Sequence, residues 1–380
     1  MMQEQVFKNA RIVLRDEVID GAVVVRDGVI AEYGSGPTSV PGENLEGACL
    51  LPGLVELHTD HLEQHYHPRP GVTWPAISAV MAHDAQITAS GITTVFDALR
   101  AGTFDPNDLS ARYAVKLLQA IGSAQENGQL RASHFIHLRC EMPCPDTIDA
   151  AHMIAGAGDI HLFSLMDHTP GARQFVSLDK FKEYYFGKKL IAPDKMESYI
   201  SERIGMQQKH AAKNKAAILD LARQLGVHLA SHDDATVDHV AEAVADGVAI
   251  AEFPTTREAA EAAHKSGLAV LMGAPNVVRG GSHSGNISAT DVAVNGHLDV
   301  LSSDYVPASL LAAVFTLPDR IEGFGLADAV RLVTANPAKA AALTDRGEIA
   351  EGKRADLVQV CVNTGHPVVR RVWRGGERVM

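Results

Sequence analysis

Eight short apolar runs, rich in β-branched residues and each ending on polar ones, constrain this chain more than any other feature. They are LLPGLVELH, GITTVFDAL, SHFIHLRCE, IHLFSLMDH, VHLASHDD, VAIAEFPT, AVLMGAPN and LDVLSSDY. A run that is apolar at both alternations suits a strand buried on both faces, and such strands belong to parallel sheets covered by helices. Helical patterns lie between most of them, such as PAISAVMAHDAQITAS, LSARYAVKLLQAIGSAQ, DHVAEAVADG and REAAEAAHKSG. Gly91, Gly226 and Gly267 each stand just before a run, where a glycine ends the preceding helix. Eight strand–helix repeats over residues 50–344 predict an α/β fold, a (β/α)8 barrel of the TIM type, with its reactive residues at the carboxyl ends of the strands. The stretch from about 172 to 222 exceeds what one crossover needs and is expected to be a helical insertion, a candidate lid.

The two chain ends have a different rhythm. VFKNARIVL and GAVVVRDGVIAEYG alternate apolar and polar residues around Asp27-Gly28, a strong hairpin signal. RADLVQVCV and VVRRVWRGGERVM behave alike around Asn363-Thr364-Gly365. Each piece is too small to fold alone, so residues 1–49 and 345–380 are expected to pair into one small β-sandwich domain beside the barrel.

Composition excludes several function classes. With 380 residues, 46% of them hydrophobic, the core needs no disulfide staples. A net charge of -12 and the lack of any basic tract argue against nucleic acid or an anionic membrane as partner. No apolar run approaches the roughly 20 residues of a membrane span. The start, MMQEQVFKNARIVLRDE, carries charges where a signal peptide needs its apolar region. Four cysteines, Cys49, Cys140, Cys144 and Cys361, lack a zinc-ribbon spacing, and a reduced cytoplasmic setting is expected.

The strand ends carry the chemistry. Run one ends in His58-Thr59-Asp60, run three in Glu141, and run four in Asp167-His168. Run five carries His232-Asp233-Asp234, run six Glu252 and run eight Asp304. In a barrel these ends meet at one mouth, and residues i and i+2 of a strand face the same way, so His58 and Asp60 can address one ion. Mixed nitrogen and oxygen donors suit zinc, manganese or iron. Two such cations would activate a water and polarise a phosphoryl or carbonyl oxygen. Asp233-Asp234 also precedes ATVDHVAEAV and could cap that helix. His61, His65 and His67 are expected to enter a loop, His65 and His67 facing solvent or backing the ligands, while His83 falls inside a helix as a structural residue.

A second set of residues points to an anion. The loop after run seven contains Arg279, Gly280, Gly281, Ser282, His283, Ser284 and Asn286, whose small residues would let backbone N–H groups approach a ligand. Arg69, Arg139 and Arg173 are expected at the same mouth. Four arginines together in an acidic chain read as a local site for a polyanionic small molecule.

The chain resembles the amidohydrolase superfamily in its strand-rich ends, PGLVELHTD opening the barrel and GKRADLV near the carboxyl end. More narrowly it is similar to a branch acting in the carbon–phosphorus lyase pathway, through HPRPGVTWPA, HDAQ, HLRCE, SLMDHTPGARQF, LASHDDAT, AEFPTTREAA, LMGAPNVVRGGSHSGN and LSSDYVPASLL. The resemblance implies a hydrolase that releases diphosphate from alpha-D-ribose 1-methylphosphonate 5-triphosphate and leaves the 5-phosphate. It implies His58 and Asp60 as the first-strand metal pair, Glu141 as a bridging carboxylate, His232 as the fifth-strand ligand, and Asp304 as ligand and general base. Two departures stand out. The superfamily usually has His-x-His on strand one, and the usual sixth-strand histidine is missing, with Glu252 nearby and His168 as the alternative ligand. The branch is also expected to carry asparagine where this chain has His61. The alternative readings are a hydrolase of a cyclic amide or a base deaminase, and a non-catalytic metal-bearing subunit of a phosphonate-processing assembly. A homo-oligomer is compatible with all three.

Overall fold

The computed structural model describes residues 4–105, 108–174, 182, 191–282, 285–363 and 365–380. All eight apolar runs are strands: β1 (Leu54–Thr59), β2 (Ile92–Ala101), β3 (Ser133–Glu141), β4 (Leu162–Met166), β5 (His228–His232), β6 (Ile250–Glu252), β7 (Ala269–Gly273) and β8 (Val300–Ser302). They pair parallel, in chain order. Alternation sorts their side chains. Phe96 and Phe135, stacked with ring centroids 5.0 Å apart, join Val55, Leu57, Leu162 and Leu271 in the barrel interior. Val95, Leu99, Ile136 and Leu138 face outward into the layer of helices. Burying a side chain of this size contributes about 1.5–3 kcal/mol.

Closure between β8 and β1 is partly made by side chains. Thr59 and Asp304 form a parallel bridge, and the Asp60 N–H donates to the Asp304 carbonyl at 3.1 Å. Below them the fully buried Glu56 carboxylate accepts from the His58 N–H (2.7 Å), the Ser302 hydroxyl (2.7 Å) and the Ser303 N–H (2.5 Å). Burial pushes its pKa up to about 7, against those hydrogen bonds. At the amino end, Val55 and Leu301 donate to the carbonyls of Val333 and Leu332, so an intervening loop holds the two strands apart there.

The chain ends form a second, mostly antiparallel sheet that folds into a sandwich around Phe7, Ile12, Val23, Ile30, Leu50 and Trp373. The hairpin of Val18–Arg26 with Val29–Ser35 turns at Asp27 (φ 49°) and Gly28 (φ 80°), the left-handed pair that such a turn requires. The strand Cys49–Pro52 pairs with Leu357–Asn363, which ties the two ends together. Gly53 then separates that strand from β1. A Cβ there would lie 2.1 Å from Thr93 Oγ1, so only glycine fits where the chain enters the barrel.

The expected insertion lies partly at 175–181 and 183–190, outside the described residues. Its remainder is dominated by one long helix, Met196–Leu225. This helix runs past 222 and serves as the crossover into β5, and Gly226 ends it in the left-handed conformation (φ 67°). Among the described residues no helix is long and apolar enough to cross a membrane.

Candidate active site

The carboxyl ends of the strands open on a cavity of about 580 Å³. Two groups of metal-ligating side chains line it: His58, Asp60 and Asp304, and His168, His232 and Asp233, the donor atoms within each group lying within 4.8 Å of one another. Three of these residues are imidazoles, and a carboxylate holds each of them through Nδ1. His58 Nδ1 donates to Glu252 Oε1 at 3.2 Å, and His232 Nδ1 to Glu252 Oε2 at 3.1 Å. His168 Nδ1 donates to Glu141 Oε2 at 2.7 Å. The Nε2 atoms are thereby left for the cavity. That of His58 lies 3.9 Å from Asp60, and those of His168 and His232 lie 3.8 and 3.5 Å from Asp233 Oδ2. Carboxylate-backed imidazoles of fixed tautomer are what metal sites use to orient their ligands.

Electrostatics agree with that chemistry. Burial pushes His58 and His232 down to about 3, so both imidazoles are neutral near neutral pH. Burial opposes the charge on His168 as well, but the Glu141 carboxylate outweighs it and raises the ring. Burial also works against Asp60, yet the Arg139 guanidinium, ion-paired with it, keeps it below the usual carboxylate range. Asp304 is pushed up to about 7 by burial and by the neighbouring Asp60. Asp233 reaches about 7, chiefly through burial, and its buried Oδ2 has no hydrogen-bond partner. Two carboxylates at the edge of protonation and an orphaned oxygen suit a divalent cation in each group.

The backbone is strained at the same place. Asp233 (φ 56°), Phe253 (φ 54°) and Asp304 (φ 54°) are left-handed at or just beyond the ends of β5, β6 and β8. Non-glycine residues in this region cluster at functional sites.

Of the residues singled out from sequence, His58, Asp60, His168, His232 and Asp304 converge on the cavity, as do Arg139, Arg279, Ser282 and Asn286. Others are placed differently. Glu141, expected to bridge two ions, spends both oxygens on His168, accepting from its Nδ1 and its backbone N–H. Glu252 holds His58 and His232 through its two oxygens and forms with them a further group of closely spaced donors. Arg173 turns away from the cavity to Asp234 and Glu242, which neutralise it. Arg69 is exposed in a turn paired with Val72 and lines no part of the cavity. Gly281 also lines the cavity, but its N–H, like that of Gly280, donates to the Asn276 carbonyl and closes the helix Ala274–Arg279. His283 and Ser284 lie outside the described residues. The segment after Asp60 is a short helix, His61–Tyr66, because His-Leu-Glu-Gln-His-Tyr contains good helix formers and no breaker.

Sequence reasoning left Asp233 between the mouth and a helix cap, and it missed Glu56 as a brace. A signal for Asp233 existed: Thr236 is a good N-cap, and it does accept from the His239 N–H at the start of Val237–Ala245. That frees Asp233 from capping.

Comparison with known proteins is consistent throughout. A model of the amidohydrolase family matches residues 192–379. Alpha-D-ribose 1-methylphosphonate 5-triphosphate diphosphatase of Escherichia coli (strain K12) is 47% identical over 376 residues, covering 98% of this chain and all of that protein. Imidazolonepropionase of Deinococcus deserti is 27% identical, covering 95% of this chain and 92% of that protein. Among solved structures, N-isopropylammelide isopropylaminohydrolase of Burkholderia multivorans superposes with a TM-score of 0.67 at 17% identity, over 100% of this chain and 98% of that one, a likeness of fold.

Proposed function

The chain belongs to the amidohydrolase family, and from that premise we propose that it is a diphosphatase hydrolysing alpha-D-ribose 1-methylphosphonate 5-triphosphate to the 5-phosphate and diphosphate. One geometric observation carries the reading. Two donor groups suited to divalent ions share a cavity with Arg279, a guanidinium that has no carboxylate partner among the described residues. A neutral amide or base would give that free cation nothing to bind, whereas a triphosphate does.

His58, Asp60 and Asp304 would hold one ion, and His168, His232 and Asp233 a second. Bound divalent ions, zinc foremost and manganese or iron as alternatives, supply Lewis acidity and lower the pKa of water. Asp304 takes a proton from the water that attacks the phosphorus nearest the ribose. An oxygen–phosphorus bond forms there, and the bond to the oxygen bridging towards the second phosphorus breaks, its electron pair leaving on diphosphate. A carboxyl poised at about 7 is well matched to accepting that proton near neutral pH. Arg139 fixes Asp60, and Arg279 with Ser282 and Asn286 receives the phosphate chain. Glu252 and Glu141 keep the imidazole tautomers in order. We take the reaction to be cytoplasmic, in keeping with four cysteines that are all free thiols.

Phosphorus NMR of the zinc-loaded protein with the triphosphate tests this directly. Diphosphate should appear beside the 5-phosphate. An unchanged spectrum from protein shown to contain metal would reject the reading.

A further inference from the structure

Behind the barrel wall, away from the cavity, stands a group of imidazoles that the reaction does not use. His61 and His65 are four residues apart on the helix His61–Tyr66 and share a face. Their rings meet edge to face at 4.8 Å. His83, from the helix Ala76–Ala89, completes the group, with one nitrogen from each ring within 4.8 Å of the others. None of the three lines the cavity.

The surroundings fix how these rings present themselves. His83 Nε2–H donates to Asp97 at 2.7 Å, and Asp97 lies fully buried in β2 between the outward-facing Val95 and Leu99. The other Asp97 oxygen accepts from His134 Nδ1 at 2.7 Å, and His134 Nε2 reaches Asp84 at 3.3 Å. With its proton on Nε2, neutral His83 carries a lone pair on Nδ1, and that atom faces His61 Nδ1 at 3.3 Å. Two nitrogens bound to one tetrahedral zinc at about 2.0–2.1 Å stand about 3.4 Å apart. Gln86 steadies the His65 ring, yet His65 Nε2 is buried and has no hydrogen-bond partner. An orphaned buried nitrogen, a lone pair aimed at its neighbour and a carboxylate behind the third ring together make a ligand set.

We propose that His61, His65 and His83 bind a further transition-metal dication of the zinc class, separate from the reaction centre, with water as the fourth ligand. All-imidazole donors favour zinc, nickel or cobalt over magnesium or calcium. Without the ion, His61 Nδ1–H donates to His83 Nδ1; binding replaces that single proton with the metal and shifts the His61 proton to Nε2. The ion would pin the helix that succeeds Asp60 against the helix Ala76–Ala89. The assignment stands whether or not the proposed substrate is correct, because no atom of the site touches the cavity.

The test counts metal. Protein equilibrated with zinc in the presence of a weak chelator is compared with His65→Phe and His61→Asn by elemental analysis. Each folded variant should hold one equivalent less than the unaltered chain, whatever the reaction centre retains. Cobalt(II) in place of zinc should lose the corresponding share of its tetrahedral visible absorption. Equal stoichiometry in all three proteins overturns the proposal. Crystals of the unaltered chain grown with zinc supply a check that needs no variant: an anomalous peak among the three rings supports the site, and its absence, with zinc present at the reaction centre, refutes it.

Discussion

Glu252 holds two imidazoles at once, which makes Glu252→Gln an informative perturbation. The two carboxylate oxygens now accept from His58 Nδ1 at 3.2 Å and His232 Nδ1 at 3.1 Å. A glutamine has one accepting oxygen and one donating nitrogen in nearly the same volume. The oxygen can still accept from one ring, but the NH2 group meets the other. That ring must then move its proton from Nδ1 to Nε2, the nitrogen that faces Asp60 or Asp233. One ligand is lost while both hydrogen bonds persist.

The magnitudes separate the two consequences. Disrupting the group behind a metal-bound imidazole costs about 10–100-fold in metal affinity, which is about 1.4–2.8 kcal/mol. The metal-free fold exchanges two charge-assisted hydrogen bonds for neutral ones and should change by about 1 kcal/mol. Competition with a chromophoric chelator measures the first quantity, and urea unfolding in excess chelator measures the second. Zinc affinity within about threefold of the unaltered chain would refute the orienting role. So would a loss of metal-free stability as large as the loss of metal binding, because Glu252 would then be only a packing residue.

The same geometry makes three further outcomes testable. Asp304→Asn should lower kcat by about 10²–10⁴-fold and leave the thermal midpoint nearly unchanged; parallel losses in both would make Asp304 structural. Arg279→Ala should raise KM for the triphosphate about tenfold, the value of a charge-assisted hydrogen bond, with kcat within a few fold, and an unaltered KM would remove Arg279 from the binding site. Burial lowers the His134 pKa, but Asp97 and Asp84 overcome it and lift the ring to about 9 from an ordinary 6.5. The folded chain therefore keeps a proton that the unfolded chain releases, so this stabilisation is complete below about pH 6.5 and disappears as pH rises through about 9. Its size is at most roughly 3 kcal/mol. Urea midpoints at pH 6 and pH 9 should diverge in the unaltered chain and converge in His134→Gln; equal divergence in both would assign the effect elsewhere.

The barrel was legible because a strand covered on both faces must be apolar at every position, and all eight such runs became strands. His58, Asp60, His168, His232 and Asp304 were legible for a related reason: a polar residue that ends an apolar strand has only the mouth to face. Roles that depend on neighbours across strands were not. Whether Glu252 meets an ion or two imidazoles is decided by His58 and His232, 194 and 20 residues away. Glu141 likewise meets His168 because β3 and β4 pair Glu141 with Met166, two residues before that histidine. Loop arginines carry no periodicity at all, so nothing in the sequence distinguished Arg279, which faces the cavity, from Arg173, which Asp234 and Glu242 capture. Outward-facing polar residues were also hidden. His83, Asp97 and His134 sit in patterns that read as helix or strand, and only the layer between wall and helices brings them together.

Phe253 shows how the backbone itself contributes to the site. Aspartate tolerates the left-handed region that Asp233 and Asp304 occupy, but a bulky side chain does not, and holding it there costs about 1–3 kcal/mol. The Phe253 N–H donates to the Leu271 carbonyl at 2.8 Å, so pairing with β7 continues through the strained residue. The result is a ring set edge-on against both His58 and His232, at 5.1 and 5.3 Å between centroids. An extended backbone at 253 would send the ring elsewhere and admit water to the two imidazoles. Burial is the leading cause of their low pKa, so the strain at Phe253 helps keep both rings unprotonated. The wall that makes them poor bases is what makes them ready ligands near neutral pH, with Glu252 fixing the tautomer and Phe253 excluding the solvent that would compete for the same nitrogens.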